Sequence, residues 1–151
     1  MTVKNCAALA AFIVFLSGCG PSLTAEMIDK LERPAHVYFS GHDLLSGEYL
    51  ILPKPGDPHE PAPMSLQKDD IGWKLSQPDT PPLHLYEMTP EAMRGVVAHF
   101  NPKTMQCVAV ASAKICAAPK GTVIRTDKVS VKVTTGYVVI LGENWDHAKR
   151  K

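Results

Sequence analysis

The sequence predicts a mainly β chain, a small antiparallel β-sandwich or barrel with one short helix. Three observations lead there. Short runs of alternating apolar and polar residues recur between residues 35 and 141, and a period of two places successive side chains on opposite faces of a strand. Stretches rich in proline and glycine separate these runs, the punctuation of an all-β chain. Within that region only residues 90–99 carry an extended apolar stripe at helical spacing.

Residues 20–34 read as a tether. Gly20-Pro21-Ser22 starts regular structure poorly, Thr24 offers an N-cap for a short helical stretch over residues 25–32, and Pro34 stops it. From Ala35 the period becomes two. Ala35, Val37 and Phe39 alternate with His36, Tyr38 and Ser40, predicting a first strand. Residues 48–52 predict a second, with Gly41 to Gly47 as the loop of a hairpin. Residues 53–63 hold five prolines in 11 residues. Each removes a backbone donor, so no central strand is expected there. Ile71, Trp73 and Leu75 alternate with Gly72, Lys74 and Ser76 as a half-buried strand, and residues 83–88 follow as another. Pro78, Pro81 and Pro82 mark a second proline-rich loop between those two strands. Both loops read as stiff covers over a sheet end.

Thr89-Pro90-Glu91 supplies a hydroxyl N-cap, proline at the first helical position and an acid in the first turn. Met93, Val96, Val97 and Phe100 form one stripe, so a helix is expected over residues 90–99, closed by Asn101-Pro102. Residues 106–111, 121–126, 128–134 and 137–141 complete a set of eight strands. Thr135-Gly136 is a turn able to fold the Val129, Val131, Val133 strand back onto residues 137–141. That last run is apolar on both faces, the mark of a central buried strand. Residues 147–151, His-Ala-Lys-Arg-Lys, read as a frayed basic tail.

The start of the chain carries a different signal. Lys4 precedes an apolar run from Cys6 to Leu16, and small residues follow. A short basic region, an apolar region and a small-residue cut site describe a secretory signal peptide. The run is shorter than the roughly 20 residues a membrane span needs. Its end, Leu16-Ser17-Gly18-Cys19, resembles the lipobox of bacterial lipoproteins. The resemblance implies cleavage between Gly18 and Cys19, a diacylglycerol (palmitate-type) modification on the Cys19 thiol, and usually acylation of the new amino group. The expected layout is therefore residues 1–18 as signal peptide, 19–34 as lipidated tether, 35–146 as β domain and 147–151 as tail. Gly20 follows the lipidated cysteine in place of Asp. In enteric-type sorting this implies the outer membrane, with the domain facing the periplasm.

Removing residues 1–18 from the 151 leaves 133, the size of one domain. Lys4 is the only charged side chain removed, so 15 basic residues balance 15 acidic ones. A balanced, exported chain is a poor nucleic-acid binder. Of four cysteines, Cys6 leaves with the signal and Cys19 carries lipid, so Cys107 and Cys116 remain. In an oxidising compartment two such cysteines pair; a metal pair or two free thiols are the alternatives. A two-residue turn at Ala111-Ser112 sets them directly opposite each other in a hairpin, and a longer loop with the same bridge serves equally.

No catalytic, metal or cofactor constellation is expected. Six histidines, at 36, 42, 59, 84, 99 and 147, are spread singly. Ser65-Leu66-Gln67-Lys68 matches S-x-x-K but lacks the S-D-N and K-T-G partners of penicillin-binding enzymes. G-x-S-x-G, a P-loop and G-x-G-x-x-G are absent from the sequence. The reading that fits best is a non-enzymatic binding or structural lipoprotein with a protein partner in the envelope. Its signal, its size and the strand region from Arg33 to Gly41 resemble the immunity lipoproteins associated with type VI secretion. The alternative is a small cell-envelope hydrolase or a lysozyme-type inhibitor.

Overall fold

A computed structural model describes residues 36–151. The signal peptide, the lipobox with Cys19, the tether and Ala35 lie outside the described residues. Within them, five strands and a helix come first: β1 (Gly47–Leu52), β2 (Ala62–Lys68), β3 (Trp73–Ser76), β4 (Leu83–Glu87), α1 (Pro90–Val96) and β5 (Gln106–Val110). Then follow β6 (Ala113–Ala117), β7 (Val123–Arg125), β8 (Ser130–Lys132), β9 (Tyr137–Leu141) and β10 (Asn144–Arg150).

Eight of these strands close an antiparallel barrel in the order β1-β2-β3-β4-β5-β6-β9-β10, with β10 returning to β1. The path is an up-and-down meander interrupted twice, by α1 after β4 and by the β7–β8 hairpin after β6. Closure removes the open edges that would otherwise template aggregation. No helix among the described residues is long and apolar enough to cross a membrane.

Alternation along the strands sorts two cores. Tyr49, Leu66, Trp73, Leu85, Val108, Ile115 and Val139 fill the barrel, with Leu45 from the preceding segment. The interior of an eight-stranded barrel is just wide enough for such packing. One residue out of phase, Cys107, Cys116, Val138 and Ile140 point outward under Met93 of α1 and Ile124 and Val131 of the small hairpin. β9 is thus buried on both faces, as its sequence requires. Cys107 and Cys116 face each other across β5 and β6 with sulfurs 2.05 Å apart, a disulfide distance. The connection is the two-residue turn Ala111-Ser112, and Ala111 takes a positive φ of 45°.

Five expectations are corrected. The strand expected over residues 35–40 does not form in its described part, residues 36–40. The Ser40 amide is satisfied by the Glu87 side chain of β4 in place of a neighbouring strand, and the Leu44 amide just beyond by Gln106 of β5. The tail expected at 147–151 is not frayed: His147 to Arg150 pair with Leu52 to Tyr49 and close the barrel. β2 begins inside the proline-rich stretch, with Pro63 opposite Leu50. β3 joins β2 only from Ser65 onward, so at Pro63 the strand has a neighbour on one side alone, where a missing N–H is tolerated. β8 pairs with β7 and not with β9. Its own turn is held by Thr126 Oγ1, which accepts from the Lys128 and Val129 amides at 3.2 and 3.0 Å. Finally, α1 stops at Val96. Thr89 caps it as expected, accepting from the Ala92 amide at 3.3 Å. Val97 then turns extended and meets Ile124 in a single β-bridge, the preferred geometry of a β-branched residue.

Candidate functional site: the strapped end of the barrel

One end of the barrel gathers the starts of β1, β3, β5 and β9 and the ends of β2, β4, β6 and β10. Residues 36–46 cross this end as a strap. Two polar side chains hold it. Glu87 and Gln106 occupy inward positions of β4 and β5 and are 7% and 3% exposed. Ser40 donates its amide to Glu87 Oε2 at 2.9 Å. Gln106 Nε2 donates to Glu87 Oε1 at 2.9 Å and to the His42 carbonyl at 3.0 Å. Leu44 donates its amide to Gln106 Oε1 at 2.8 Å. Buried polar groups need such partners, and here the partners are the strap's own backbone.

The strap then dives inward. Leu45 is fully buried, and the Tyr49 hydroxyl donates to its carbonyl at 2.5 Å. Asp43 Oδ1 accepts from the Leu45 and Ser46 amides at 3.2 and 2.8 Å, an Asx turn that aims the strap into the barrel. Burial pushes the Asp43 pKa up, but the Ser46 and Leu45 bonds and the nearby Trp73 indole outweigh it, leaving it below the usual carboxyl value. Trp73 Nε1 is buried without a partner in full hydrogen-bond geometry. Burial also raises the Tyr49 pKa, against the opposing pull of Arg150.

Around this frame stand aromatic rings and cations. Lys68 Nζ lies 4.9 Å from the Trp73 ring centre and 5.5 Å from that of Phe39, within cation–π range. It also donates to the His42 carbonyl at 3.3 Å. Phe39 leaves 37% of its surface open although its ring lies 6.1 Å from that of Trp73. Arg150 covers the Tyr49 ring at 5.9 Å and donates to the Ser46 carbonyl and, at 3.4 Å, to the Tyr137 hydroxyl. Asp43 separates two clefts of about 450 and 320 Å³, the first lined by Gln67 and Lys68, the second by Tyr137 and Arg150.

Other residues noted in the sequence fall elsewhere. Both proline-rich loops lie at the opposite end, where β1 leads into β2 and β3 into β4. Cys107 and Cys116 sit in the outer core, away from the strap. Ser65 and Lys68 occupy one strand three residues apart, so they point to opposite faces; an S-x-x-K nucleophile needs both on one face. His84 Nε2 stands 3.0 Å from Asp69 Oδ2 on the outer wall. Burial raises the Asp69 pKa, but the His84 bond and the Ile71 and Gly72 amides lower it more. His147 Nε2 lies 3.0 Å from the Lys132 carbonyl and His59 3.8 Å from Asp57. Among the described residues no three His, Cys, Asp or Glu side chains gather as a metal site. Glu87, Gln106, Asp43 and Arg150 were not legible as site residues. The signal was there for Gln106, a polar residue in phase with inward Val108 and Val110. Comparison with protein-family models, curated proteins and solved structures finds no match.

Proposed function

We propose that this chain is a lipid-anchored lipoprotein of the bacterial cell envelope, held through Cys19 in the outer membrane and facing the periplasm. It acts as a non-enzymatic binding module of the secretion-accessory or immunity type. The strapped end of its barrel meets a protein partner. One observation carries this reading: the interior is filled by Leu45, Leu66, Trp73, Leu85 and Val108, all fully buried. A filled barrel leaves ligand contact to its surface. The strapped end offers an aromatic, Arg and Lys composition suited to interface anchors. Cys107 and Cys116 stand directly opposite each other across β5 and β6, which fits an oxidising compartment. The separation of Ser65 from Lys68 gives no support to a hydrolase of the S-x-x-K kind.

Two variants test the two halves. Cys19→Ser should lose fatty-acid labelling and leave the membrane fraction; normal labelling and fractionation would refute the anchor. Affinity capture from the producing envelope should recover a partner with the wild-type chain and lose it with Lys68→Glu. Equal recovery with that variant would remove the strapped end from the account.

A further inference from the structure

A second site lies on the outer layer, away from the strap. Beyond α1 the chain runs through Val97, Ala98 and His99, and β7 runs beside it, joined at the Val97–Ile124 bridge. Between them, with Met105 at its side, opens a groove of about 400 Å³. That volume lies in the range of small-ligand pockets, about 300 to 1,000 Å³. Ala98, Met105 and Val123 supply its apolar lining, and Val97, buried beside Ile124, forms the outer core beneath it. Its polar margin is formed by Arg125, His99 and Thr122, with the Arg125 guanidinium as its fixed positive charge and no acid among the lining residues. Arg125 is exposed, and its side chain makes no ion pair or hydrogen bond with any described residue.

The geometry points to a binding site for a small amphiphilic carboxylate, an aliphatic chain with one anionic end. The chain would lie on Ala98, Met105 and Val123, and Arg125 would take the carboxylate in a charge-assisted pair. Methionine suits such a lining because its flexible thioether adapts to the shape laid against it. An extended peptide fits less well. It carries amide groups along its whole length, and burying them against an apolar lining without partners is unfavourable. This site is independent of the strapped end, so either can fail alone.

The test is calorimetric titration of the full chain with decanoate, using decanol as the uncharged control and an apolar tripeptide with a free carboxylate as the competing class. Decanoate should bind at one site, about tenfold more tightly than decanol. Arg125→Gln should remove that difference while leaving decanol binding unchanged. Ala98→Trp, which fills the groove, should abolish both, and Arg94→Gln on exposed α1 should change neither. Equal affinity for decanoate and decanol would overturn the proposal, as would undiminished decanoate binding by Arg125→Gln. So would binding of the tripeptide in preference to decanoate, or no binding at all.

Discussion

Glu87 and Gln106 decide more of this structure than their number suggests. Each stands at an inward strand position where an apolar residue would have packed, and each accepts a strap amide instead. Gln106→Ala deprives the Leu44 amide of its acceptor and the Glu87 carboxylate of one donor. Leaving such groups unmet should cost about 1 to 3 kcal/mol. Urea unfolding checks the magnitude, and hydrogen exchange checks the place: Ser40 and Leu44 amides should exchange faster while barrel amides hold. Uniform exchange would show that the strap is held by something else. Asp43 and Asp69 add a pH signature, since both pKa values lie below the ordinary 3.8. A carboxyl lowered on folding stabilises the protein fully above its unfolded value, and that contribution is lost as pH falls through the folded value. Stability should therefore decline below pH 3.8, and Asp69→Asn should decline less steeply over the same window. Parallel curves from denaturation at several pH values would contradict this.

Among elements, those that pack both faces were readable. Residues 137–141 are apolar in both phases, and β9 is a central strand; Thr89-Pro90 announced the start of α1. β2 and β10 were not readable, for different physical reasons. β10 buries only Ala148 and holds its place mainly through backbone pairing. β2 buries Met64 and Leu66, but it starts among prolines, which mask it as a loop. The strap misled in the opposite direction: Val37 and Phe39 alternate like a strand, but the barrel was already closed without them. The β5–β6 hairpin carries the covalent link, and its register was legible because Cys107 and Cys116 sum to the same turn as Val110 and Ala113. Cys107→Ala/Cys116→Ala should lower stability by about 2.5 to 3 kcal/mol, from the loop entropy returned to the unfolded chain. Urea midpoints with an unchanged m-value would register it. A double variant as stable as the parent would show that the link constrains nothing.

The whole molecule depends on closure. β10 is the last strand in sequence and the one that joins β9 to β1. A chain ending at Asp146 loses the β1 pairing altogether, exposing the edge of β1 and, at Tyr137 and Val138, that of β9. It should fail to fold or aggregate, read by circular dichroism and size-exclusion chromatography. A monomeric folded truncation would mean the tail is dispensable. Closure also sets the polarity of the molecule, because the strap, its cations and its open Phe39 occupy one end and the proline-rich loops the other. The central claim is that the strapped end meets the partner. Site-specific photo-crosslinking in the producing cells tests it most directly, with the reactive side chain placed at exposed Gln67 beside Lys68 or at exposed Pro55 in the opposite loop. One discrete protein adduct from position 67 and none from position 55 is the predicted result. Adducts from position 55 alone, equal adducts from both, or none from either would contradict it.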